Sequence, residues 1–156
     1  MFSRKVPLVI AGILCAIGAL LHLVTIIGGP DFYRFMGAGE GMAQMAEDGL
    51  AYPTIVILVI TLILFIWSAY AFSGAGVIKR LPLLKIGLVL ISSILMIRAI
   101  FGIILMFINI NHPYLNELQA RPIFMMVTSL ICLIFSLLFI TGTYKQWLSI
   151  SENDIK

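Results

Sequence analysis

Residues 83–108 read LLKIGLVLISSILMIRAIFGIILMFI, an apolar run whose only charges are Lys85 near its start and Arg98 deep inside it. About 20 apolar residues, rising roughly 1.5 Å each, cross a hydrocarbon core of about 30 Å, so this run is long enough to span a bilayer as a helix. Pro82 precedes it, where a residue without a backbone N–H suits a helix start. Three further runs share this character, at 6–27, 53–72 and 123–144. Gly28-Gly29-Pro30 closes the first, Pro53 opens the second and Pro122 precedes the last, which are the expected punctuation marks of helix ends. The fold expected is all-α: a polytopic membrane protein with a four-helix transmembrane bundle, one domain over residues 1–156. Its connections fall at 28–52, 73–82 and 109–122, and a tail follows at 145–156.

Composition points the same way. The chain is 62% hydrophobic and carries ten basic and seven acidic side chains. So few charges could not cover that much apolar surface in water, whereas a bilayer removes the need to cover it. Arg4 and Lys5 before the first run resemble the start of a signal peptide, but the run is long enough to span, no A-x-A site follows, and Ile13-Leu14 precede Cys15 where lipoprotein processing needs a small residue. The segment is therefore expected to stay in the protein. Cys15 and Cys132 lie singly in apolar runs, which supports neither a disulfide framework nor a dithiol centre.

The net charge of +3 is explained by topology rather than by a nucleic-acid partner. Arg4, Lys5, Lys79, Arg80, Lys85, Lys145 and Lys156 fall on one side of the spans, against Arg34 and Arg121 on the other. Cytoplasmic flanks collect the excess of Lys and Arg, so both termini are expected in the cytoplasm, with localisation to a bacterial inner membrane. The outer side is acidic, with Asp31, Glu40, Glu47, Asp48 and Glu117.

The outer loop 28–52 is long, and long ordered loops tend to carry function. Phe32, Phe35 and Met36, then Met42, Met45, Ala46 and Leu50, recur at helical spacing on either side of Gly37-Ala38-Gly39-Glu40-Gly41. That pattern predicts two short amphipathic helices lying on the membrane as a lid, with Tyr33, Arg34, Phe35, Met42 and Met45 as its residues. The three glycines lack the preceding strand and the Lys-Ser or Lys-Thr pair of a phosphate loop, and read better as hinges. Each span carries a stripe of small or weakly polar residues suited to helix packing in lipid. These are Ala11, Cys15, Gly18, His22 and Thr25; Thr54, Thr61 and Ser68; Gly87, Arg98, Gly102 and Asn109; and Thr128, Cys132 and Ser136.

Arg98 is the foremost candidate site residue, because a charge at such depth costs at least about 2.5–3.5 kcal/mol and calls for compensation. Counted from the cytoplasmic side, His22 reaches nearly the same height. The ligand-binding set expected from sequence is Arg98, His22, Glu40 and Asn109, lining a polar pocket that opens outward. Two readings compete. Arg98 either snorkels or pairs permanently with Glu40, Asp31 or a helix carbonyl, or its planar fork receives a lipid phosphate or a carboxylate. His22 has no second histidine at metal spacing, His112 beside Pro113 reads as part of a helix stop, and the scattered methionines fill gaps among Leu and Ile. No metal, cofactor or catalytic residue is called for. The turn Ser73-Gly74-Ala75-Gly76 leads to Lys79 and Arg80, expected to meet anionic headgroups.

Tyr33-Arg34-Phe35-Met36-Gly37-Ala38-Gly39-Glu40, together with Tyr70-Ala71-Phe72-Ser73-Gly74-Ala75-Gly76-Val77-Ile78-Lys79-Arg80-Leu81-Pro82-Leu83-Leu84, resembles a group of small four-helix bacterial inner-membrane proteins over roughly residues 10–105. The chain is more loosely similar to DoxX-like proteins, in helix number and size. The resemblance implies topology and carries no catalytic residue.

Three functional classes follow. The first is a non-enzymatic protein binding a lipid, a small amphiphile or a partner through the outer pocket. Its partners would be membrane lipids, an anionic small molecule, a second copy of the chain or another membrane protein. The second is a small dimeric transporter, which would need His22 to carry a proton because the expected spans contain no Asp or Glu. The third is an interfacial membrane enzyme using Glu40, Glu47, Asp48 and His112.

Overall fold

A computed structural model of the chain describes residues 5–108 and 121–153, with side chains as far as Tyr144. Among the described residues five helices follow one another, α1 Val6–Phe35, α2 Glu40–Glu47, α3 Tyr52–Gly74, α4 Leu84–Leu105 and α5 Pro122–Asn153, and there is no strand. All but α2 are long and apolar enough to cross a membrane. The shortest of the four, α4 with 22 residues, measures about 33 Å along its axis. The chain is thus an all-α, multi-pass membrane protein built on a four-helix bundle.

The ends of the helices follow local chemistry. Proline stands in the first turn of α1 and of α3, and Pro122 begins α5, where its missing N–H leaves no intrahelical bond unmade. Gly28-Gly29-Pro30 bends α1 rather than ending it. Gly29 leaves helical geometry at φ 67° and ψ −156°, and the helix resumes from Pro30 to Phe35. Glycine reaches that backbone region without strain, and proline cannot donate to the preceding turn. Of the two lid helices expected, the first is therefore this bent continuation of α1, and only α2 stands alone. At the far end, α5 runs on past the apolar stretch.

The bundle is assembled from two extensive pairs, α1 against α3 and α4 against α5, with α1 also meeting α5 and α3 meeting α4. Each pair is tied across its seam by a serine. Ser68 donates its hydroxyl proton to the Gly12 carbonyl at 2.8 Å, and Ser136 donates to the Ser92 carbonyl at 2.9 Å. Such interhelical bonds in lipid are worth about 0.6 kcal/mol each on average. Small residues allow close approach: Gly12 faces the Phe72 ring, Gly87 the Tyr70 ring, and Gly74 and Gly142 the Leu8 side chain. The main core lies away from the lid and includes Leu8, Ala11, Cys15, Leu88, Ile91, Leu95 and Phe139. Outward-facing residues such as Leu62, Ile97 and Leu90 are apolar and exposed, as lipid contact requires.

Candidate functional site

The acids of the lid converge on one arginine. Tyr33, on the resumed turn of α1, is buried and packs with Ala43 of α2 and Ile57 of α3, with Met42 and Ala46 packed alongside. This small core seats α2 on the bundle. Arg34 next to it turns outward toward the acids of the lid. Its Nε donates to Glu40 Oε2 at 2.9 Å and its Nη2 to Glu40 Oε1 at 2.7 Å, the two-pronged geometry that guanidinium and carboxylate favour. Nη2 also lies 2.9 Å from Glu47 Oε1, and Nη1 lies 3.4 Å from the exposed Asp31. Glu40 sits in the first turn of α2, where the helix dipole also favours negative charge. Hydrogen bonds from Arg34 hold the Glu40 carboxyl below the usual carboxylate range. Helix α5 closes over the same place: Arg121 Nη1 donates to the Arg34 carbonyl, and the Phe124 ring lies on Gly37.

Arg98 has different surroundings. It lies on α4 seven residues before Leu105, about 10 Å below the lid end of that helix. It is half-buried, and among the described residues it has no hydrogen-bond or ion-pair partner. Its Nη1 lies over Gly102, one turn further along, where a Cβ would come within 2.6 Å of it and would also overlap Ser129 Oγ from α5. Ser129 is fully buried, and its hydroxyl has no partner among the described residues. Cys132, one turn along α5, lies within the field of the same guanidinium. The arrangement is a cation and a free hydroxyl side by side, with space kept by a glycine.

The other expected site residues are distributed as follows. Glu40 is bound to Arg34 and not to Arg98. The bend at Gly29 sets Arg34 beside the start of α2, where it meets Glu40. His22 is half-buried on α1 and donates its Nδ1 proton to the Gly18 carbonyl at 2.8 Å. Helices α1 and α4 are not among the extensively packed pairs, and the hydrogen bond of His22 stays within α1. Asn109 and His112 lie outside the described residues. Of the lid residues, Tyr33 is buried, Met42 and Met45 are half-buried, and Phe35 is exposed. Sequence reading passed over Ser129. It shares a face with Cys132 and Ser136 at three- and four-residue spacing, as Thr128 does with one step of offset, and that spacing was the signal available. No group of three or more His, Cys, Asp or Glu side chains that could hold a metal occurs among the described residues.

No family model, no curated protein and no solved structure matches this chain.

Proposed function

We propose that the chain is a non-enzymatic integral membrane protein that binds an anionic amphiphile, a lipid or small molecule bearing a phosphate or carboxylate, at Arg98. One observation carries the reading. Arg98 stands inside a membrane-crossing helix without a partner among the described residues, although the lid gathers three carboxylates around Arg34. An uncompensated charge at this depth costs at least about 2.5–3.5 kcal/mol, and a bound oxyanion would offset it. The guanidinium fork suits planar or tetrahedral oxyanions, the Ser129 hydroxyl adds a donor beside it, and Gly102 leaves room for both. The Lys- and Arg-rich flanks support an orientation with both termini in the cytoplasm of a bacterial inner membrane and the lid outside.

The test is native mass spectrometry of protein extracted gently from membranes. Wild-type protein is expected to carry a discrete anionic lipid or small amphiphile. Arg98→Gln is expected to lose it while keeping its helical content, and Arg34→Gln to keep it. Equal retention by wild type and Arg98→Gln would overturn the reading.

A further inference from the structure

The connection between α3 and α4, at the end of the bundle opposite the lid, forms a surface of another kind. Ser73 fixes its path twice, donating to the Lys79 carbonyl at 3.1 Å and accepting from the Leu81 amide at 2.9 Å. The Tyr70 hydroxyl donates to the Pro82 carbonyl at 3.2 Å. The chain then turns through Leu83, whose φ of 52° is the only positive value at a non-glycine residue among the described residues, and enters α4 without a side-chain cap. The outcome is an open groove of about 440 Å³ lined by Arg80, Leu81, Leu83, Leu84, Lys85 and Ile86.

Three properties of this groove converge on one ligand. Arg80 and Lys85 put two cations on its walls, and Arg80 has no carboxylate partner among the described residues. The first-turn amides of α4 have no intrahelical acceptor and point out of the same helix end. Leu83 and Ile86 are exposed apolar residues at the rim, and the apolar face continues along α4 through Leu90, Ile94 and Ile97. A free phosphate would use the cations and leave the apolar strip unused; a phospholipid uses both. We propose that this groove binds the phosphate of an anionic phospholipid, with Arg80 and Lys85 on the headgroup and one acyl chain along the Leu83, Ile86 and Leu90 face of α4. The site is separate from Arg98 and does not depend on it.

The full-length protein, stripped of lipid in neutral detergent, is titrated with phosphatidylglycerol, with phosphatidylcholine and with inorganic phosphate, and bound lipid is counted by native mass spectrometry. Wild type is expected to retain phosphatidylglycerol in preference to phosphatidylcholine, and Arg98→Gln protein, which keeps the groove alone, to retain one. The Arg80→Gln/Lys85→Gln double variant is expected to bind it roughly thirtyfold more weakly, the scale set by two interfacial cations. Lys79→Gln, which removes a neighbouring charge outside the groove, is expected to change retention little, and Arg98→Gln to leave it intact. Equal retention of the two lipids by wild type overturns the proposal even if the double variant fails to fold. So does displacement of phosphatidylglycerol by millimolar phosphate, an equal loss in Lys79→Gln, or loss in Arg98→Gln.

Discussion

Arg34 and Arg98 carry the same group into two surroundings. Arg34 lies where the chain leaves the bundle, with Glu40, Glu47 and Asp31 supplied by the lid and one of its turns capped by Arg121. Arg98 lies about two turns inside a crossing helix, beside Gly102 and a buried serine. In water a guanidinium needs no protein partner, yet Arg34 has several; in lipid it needs one, yet none of the described residues serves Arg98. The difference separates a clasp, in which charges hold one part of the chain to another, from a guanidinium that no described residue answers and for which we propose a ligand.

Substitutions can break this comparison. The largest effect is expected from Gly102→Leu, which drives a side chain into the space shared by Arg98 and Ser129. Overpacking of this kind costs about 1–3 kcal/mol, so thermal unfolding in detergent should fall by several degrees and ligand retention should be lost together. A Gly102→Leu protein that kept both its stability and its ligand would show that the space is not used. Next comes Arg34→Gln, which removes the donor shared by Glu40 and Glu47. Hydrogen exchange across residues 36–50 should accelerate, while the amides of α3 and α4 keep their protection. Uniform acceleration through the bundle would mean that the lid clasp supports the whole fold.

Acid should act on the same region. Glu40 is held low by Arg34, so its contribution to lid closure is fully present above the ordinary carboxylate value and is lost as pH falls through its lowered one. Lid exchange measured down a pH series should therefore stay slow at neutral pH and rise only below about pH 4.5. A rise near pH 6 would point to another group. The smallest effect concerns the two helix seams. Ser68→Ala and Ser136→Ala are each expected to cost about 0.6 kcal/mol, and a much larger loss at one of them would show that the two pairs of helices are not held alike.

Much of the architecture was legible because lipid imposes a simple rule on sequence. Four long apolar runs have no other stable arrangement, and the small-residue stripes placed Thr61, Ser68 and Ser136 correctly in the buried seams. The lid was legible in part: the spacing of Phe32, Phe35 and Met36 gave helix, but periodicity cannot tell a bent continuation of α1 from a separate element. What the sequence concealed was the choice of partners. Glu40 is six residues from Arg34 and stands at the start of a new helix, so only the bend at Gly29 and the turn through Gly37 and Gly39 decide that the two meet. Ser129 and Thr128 differ by one step of helix rotation, about 100°, which a stripe drawn by eye does not resolve.

The central claim is that Arg98 is answered from outside the chain. The most direct measurement is solid-state NMR of the full-length protein in bilayers, with 15N-labelled arginine and 13C-labelled Asp and Glu carboxyls, and with Arg34→Gln and Arg98→Gln proteins assigning the signals. The account predicts close guanidinium-to-carboxyl contacts for Arg34 and none for Arg98. A contact between Arg98 and any labelled carboxyl would make it a second clasp and would contradict the account.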